Sequence, residues 1–81
     1  MKMNVILALI NPITKQIRTK EYSDISEEAA NRIWLENLQD SKGASTGNLG
    51  YEPENYPKYY ASTGFIPSNG FLYTWVQWES K

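Results

Sequence analysis

From Lys2 to Ile10 the chain is apolar on both alternating faces, and Val5 to Ile10 form an unbroken apolar run. A short run of this kind, bounded by turn residues, predicts a central strand covered at least partly on each side. Asn11-Pro12-Ile13-Thr14 predicts a turn, because proline presets φ at the second position and asparagine caps it. Lys15 to Tyr22 reads as the returning strand, with Lys15, Arg18 and Lys20 and only Ile17 and Tyr22 as apolar anchors. Lysine-bearing strands suit sheet edges, where charge discourages pairing with other chains. Residues 1–22 are therefore expected to form a β-hairpin.

The period then changes. Ile25, Ala29, Ala30, Ile33, Trp34 and Leu38 recur at spacings of three and four, the mark of one apolar helical stripe. Asp24 and Glu27 have the spacing of a capping box, and Glu27 and Glu28 place negative charge at the positive end of the helix dipole. Lys42 and Gly43 supply a stop signal. A helix over 24–40 is expected to lie across the hairpin, with Trp34 largely buried beneath the sheet.

Residues 41–58 show neither period. Gly43, Gly47 and Gly50 alternate with serine, threonine, asparagine and proline, and only Leu49, Tyr51 and Tyr56 offer tethers. A long loop is expected, extended in its second half because Pro53 and Pro57 bias the residues before them toward β or polyproline geometry. Residues 59–79 read as a second hairpin, with the Asn69-Gly70 pair at the reversal. In its last strand Phe71, Tyr73, Trp75 and Gln77 share one face, and Leu72, Thr74, Val76 and Trp78 share the other. The expected architecture is a single α+β domain over 1–81, ordered β-β-α-β-β. One four-stranded, mainly antiparallel sheet would carry a single helix on one face.

Composition narrows the chemistry. Neither cysteine nor histidine occurs among the 81 residues, so disulfides, thiolate zinc sites and the common nucleophile–base pairs are excluded. Carboxylates and backbone oxygens remain for Ca²⁺ or Mg²⁺, but no Asp-x-Asp-x-Asp-Gly run is present to hold either ion. Glu52 and Glu54 are the only paired carboxylates that suggest glycosidase chemistry, and they flank Pro53 in the loop, where a solvated acidic segment is the simpler reading. The glycine-rich stretch from Gly43 to Gly50 lacks the Lys-Ser/Thr ending of a phosphate cradle. No catalytic residue, metal or cofactor is expected. The N-terminal apolar run is too short for a signal peptide or a membrane span, which leads to an expected cytoplasmic location.

Nine of the eleven aromatic residues lie from Tyr51 onward. One short stretch of a small domain cannot turn that much ring surface inward, and exposed Tyr and Trp are enriched at interface hot spots. Partner-binding residues are therefore expected at Tyr51, Tyr56, Tyr59 and Tyr60, with Trp75 or Trp78 from the last strand. Another protein is the expected partner. An alternative is single-stranded nucleic acid, with bases stacked on the sheet near Lys15, Arg18, Lys20 and Lys58. The formal net charge of −1 works against this, since such binding draws on a basic face. A third reading is a structural subunit that self-associates through its aromatic face.

The segment Tyr22-Ser23-Asp24-Ile25-Ser26-Glu27-Glu28-Ala29-Ala30-Asn31-Arg32-Ile33-Trp34 resembles the strand-to-helix junction of several very small bacteriophage proteins. These include the phage inhibitor of bacterial RNA polymerase and some anti-CRISPR proteins. The segment is 13 of the 81 residues, and the resemblance implies a cysteine-free domain that blocks a larger host machine inside the host cell. No functional residue carries over from it.

Overall fold

A computed structural model describes residues 2–47 and 59–80. Its elements are β1 (Lys2–Ile10), β2 (Ile17–Ser26), α1 (Glu27–Leu38), β3 (Lys42–Gly47), β4 (Tyr59–Ile66) and β5 (Phe71–Glu79). The class is α+β, as the periodicity implied, but the sheet has five strands rather than four. Their order is β2-β1-β5-β4-β3, with every neighbouring pair antiparallel.

The extra strand comes from the segment expected to be loop. Lys42–Gly47 pairs with β4, from Lys42 opposite Phe65 to Gly47 opposite Tyr60. Its small and polar residues carry no apolar alternation, so the pairing left no trace in the hydrophobic pattern. Gly43 and Gly64 face each other across this ladder, and a Cβ on either would run into backbone, the Thr63 carbonyl oxygen for Gly43 and that of Lys42 for Gly64. Gly43, which looked like loop punctuation, is what this close strand approach requires, as is Gly64. Lys42 and Gly43 therefore belong to β3 and do not stop the helix. The helix instead ends in a turn in which Ser41 N–H donates to the Leu38 carbonyl at 3.1 Å.

The helix start also differs from expectation. Asp24 has a φ of 57° and lies within β2, which runs on to Ser26. The register between β1 and β2 slips between Met3 and Val5, so that Met3 faces Ile25 while Val5 faces Tyr22. This is a β-bulge on β2, and the extra residue's N–H needs a partner outside the ladder. The Asn4 Oδ1 supplies it, accepting from Asp24 N–H at 2.9 Å, while the Asp24 carboxylate accepts from Ser80 Oγ at 3.1 Å. With Asp24 engaged there, Ser26 is the N-cap, and its Oγ accepts from Ala29 N–H at 3.0 Å.

Both reversals are held by asparagine. Asn11 Oδ1 accepts from the N–H groups of Ile13 and Thr14 at 3.0 and 3.2 Å. Asn69 Oδ1 accepts from Phe71 N–H at 2.9 Å, and Gly70 takes the left-handed φ of 73° that the second turn demands. Asp40, just beyond the helix, accepts from Ser68 N–H at 3.1 Å and ties that end of the helix to the β4–β5 turn.

Strand alternation places Val5, Leu7 and Leu9 of β1 on the same face as Tyr73, Trp75 and Gln77 of β5. The helix covers this face. Val5, Leu7, Ala30, Leu38, Ile66, Tyr73 and Trp75 form the buried core. Ser62 is buried beside them, and its hydroxyl is hydrogen-bonded to the Tyr73 hydroxyl at 2.8 Å. No buried side-chain polar atom lacks a partner among the described residues.

Candidate protein-binding face

Among the described residues, no helix lies over the other face of the sheet. The strand registers align its side chains in rows across the sheet. Nearest the two hairpin turns, Ile17, Ile10, Leu72 and Phe65 stand side by side on β2, β1, β5 and β4, and Lys42 of β3 closes the row. The next row, Thr19, Ala8, Thr74 and Thr63, is small and mildly polar. Beyond it lie Glu21, Ile6, Val76 and Ala61, and then Asn4 beside Trp78.

One face of an antiparallel sheet can be solvated, but such a face is ordinarily polar. Here Ile17 is 65% exposed, Phe65 45% and Leu72 43%. Ile6, Ile10, Val76 and Trp78 are each partly exposed. At the strand spacing of about 4.8 Å, the four apolar residues of the first row span roughly 14 Å. Ile13, at the adjoining turn, is 88% exposed and extends the row at the tip of the molecule. Contiguous exposed apolar surface rimmed by polar residues marks interaction sites. The rim here carries Lys2, Glu21 and Lys42, charges of both signs.

The residues expected to bind a partner are divided by this arrangement. Tyr51 and Tyr56 lie outside the described residues, as does the side chain of Tyr59, whose backbone opens β4 opposite Trp78. Trp78 is on the uncovered face. Trp75 is a correction: it is 1% exposed and lies in the core, because position 75 alternates onto the face that the helix covers. Its indole N–H donates to Gln77 Oε1 at 2.8 Å, and its ring meets Trp34 edge-to-face with centroids 5.1 Å apart. Tyr60 lies on the helix side too, half-buried, with its ring 6.4 Å from that of Trp34. Trp34, expected to be largely buried, keeps part of its surface exposed while touching Tyr60, Tyr73 and Trp75.

The residues that form the exposed row, Ile10, Ile17, Phe65 and Leu72, were not among the expected contacts. Alternation had already put Leu72 and Trp78 together on one face of the last strand. What it lacked was the side on which the helix lies.

Two of the four basic residues expected to accompany base stacking, Arg18 and Lys20, lie on the helix side of the sheet. Lys20 pairs with Leu7, and its ammonium donates to Asn37 Oδ1 of the helix at 3.2 Å. Arg18, two residues away and opposite Leu9, shares that helix-side face. Lys58 lies outside the described residues. Among the described residues, no helix is long and apolar enough to cross a membrane, and no cluster of acidic side chains could hold a metal ion.

Compared with protein-family models, curated proteins and solved structures, the chain shows no match.

Proposed function

We propose that this chain is a small non-catalytic module that binds another protein through the sheet face opposite the helix. The supporting observation is the apolar row Ile17, Ile10, Leu72 and Phe65, which the described residues leave uncovered across four strands. A monomer gains nothing in stability from exposing this row, whereas a partner that covers it removes the row from water at about 25 cal/mol per Å² of apolar area. The mixed charges at the rim suit protein better than a polyanion. The absence of histidine and cysteine throughout the sequence supports a role that is binding rather than catalysis.

The resemblance of the Tyr22–Trp34 segment to small phage inhibitors supports a sharper form of the reading. In that form the bound protein belongs to a larger host machine, and this domain acts in the cytoplasm of the host cell by occluding it.

Site-specific photo-crosslinking in cells tests the reading. A benzophenone side chain placed at Phe65 or Leu72 should crosslink to a distinct protein. The same group at Leu35, 51% exposed on the helix, should not. Adducts equal to twice the chain's own mass would replace the reading with self-association. Crosslinks to nucleic acid, or equal crosslinking from Leu35, would end it.

A further inference from the structure

A concave site lies on the helix side of the sheet. The helix sits over β1 and β2, and the Trp34 side chain reaches from it toward β5 and β4. A cleft of about 410 Å³ remains between the first turns of α1 and these two strands. Glu27, Ala30, Asn31, Trp34, Tyr60, Trp75 and Gln77 line it. The volume falls within the range of small-ligand sites, ~300–1,000 Å³.

We propose that this cleft binds an organic cation with an alkylated ammonium head, either a free small molecule of the choline type or a trimethylated lysine of a peptide. Three observations select that chemistry. First, three of the lining residues are aromatic, and the rings lie at steep angles to one another: 79° between Trp34 and Trp75, and 67° between Trp34 and Tyr60. Trp75 is 1% exposed and forms the floor, so the ring surface on offer is that of the partly exposed Trp34 and Tyr60, and Trp is the best of the aromatic residues at attracting a cation.

Second, the lining includes one carboxylate, Glu27, and no cationic side chain among the described residues. The local charge therefore favours a positive ligand and disfavours an anion.

Third, acceptors are few. Besides Gln77 Oε1, which already accepts from the Trp75 indole at 2.8 Å, the lining side chains carry acceptors in the Glu27 carboxylate, the Asn31 oxygen and the Tyr60 hydroxyl. A bare ammonium brings three N–H donors and a guanidinium five, and donors turned toward the rings give up water without gaining an acceptor. An alkylated head brings no such donors, and its apolar skin suits the rings.

This site is independent of the uncovered sheet face, so the two readings can fail separately. The chain's three tryptophans provide the assay. In ¹H–¹⁵N spectra of the full chain, titration with choline chloride should shift the Trp34 and Trp75 indole signals saturably. The Trp78 signal should stay fixed, because its ring lies on the other face. The neutral isostere 3,3-dimethylbutanol should bind at least about tenfold more weakly, since a desolvated cation–aromatic contact carries that order of preference. Glu27→Gln, at an exposed position, should weaken choline binding by about two- to fivefold while the rest of the spectrum is unchanged. Trp34→Phe, which keeps a ring, should also weaken it. A trimethyl-lysine peptide run in parallel tells the two sources of the head group apart by which binds more tightly. Equal affinity for the neutral isostere, movement of Trp78 instead of Trp34, or no saturation by either cation up to ~50 mM would overturn the proposal, since affinity that weak lies below what a built site provides.

Discussion

Leu7 and Leu72 carry the same side chain on opposite faces of adjoining strands, and the two faces predict very different costs for shortening it. Leu7 is 0% exposed, between the sheet and the helix, whereas Leu72 is 43% exposed on the uncovered face. Leu7→Ala removes buried carbon and leaves a cavity that the surrounding core fills only partly, at a cost of about 2–5 kcal/mol. A domain this small has roughly 3–5 kcal/mol to lose, so that variant should be largely unfolded at room temperature. Leu72→Ala opens no enclosed cavity and gives up only the shielded part of the side chain, at about 1 kcal/mol. With a urea dependence near 1 kcal/mol per molar, the Leu72 midpoint should fall by about 1 M. Urea titrations followed by far-ultraviolet circular dichroism, at two chain concentrations about tenfold apart, would measure both effects. A Leu72→Ala loss as large as that of Leu7→Ala would show that the second face is itself core. A midpoint that rises with concentration would show that a second copy covers it.

Two further outcomes follow from the local contacts. Ser26→Ala removes the hydroxyl that accepts from Ala29 N–H and should lower stability by about 1 kcal/mol, while Asp24→Gly leaves the cap in place and adopts the φ of 57° without strain, so thermal melts of the two variants separate the observed cap from the one expected at Asp24. Tyr73→Phe strands the Ser62 hydroxyl in the core and should cost about 1–3 kcal/mol, much of it recovered when Ser62→Ala is added; a double-mutant cycle in urea with no coupling would contradict the buried Ser62–Tyr73 hydrogen bond.

Several elements were legible from local chemistry alone. The apolar run from Val5 to Ile10, the three-and-four spacing from Ala29 to Leu38 and the Asn-Gly reversal at 69–70 each predict an element that the fold contains. Their common feature is that the signal and its cause lie within a few residues of each other. The capping residue was misplaced for a non-local reason. Asp24 has the right chemistry to cap a helix, but Asn4, twenty positions earlier, draws its backbone into a bulge and leaves the task to Ser26.

The strand Lys42–Gly47 shows the limit more sharply. Its sequence carries no periodic apolar set, and the reason for Gly43 is the carbonyl of Thr63 on another strand. The division of the aromatics has the same origin. Alternation by itself determined that Trp75 and Trp78 point to opposite faces and that both faces of the last strand carry rings. Only the tertiary structure decided that α1 covers the face of Trp75, leaving Trp78, Leu72 and Phe65 on the open side. Periodicity is a property of one strand, whereas burial depends on which side of the whole sheet the helix packs against.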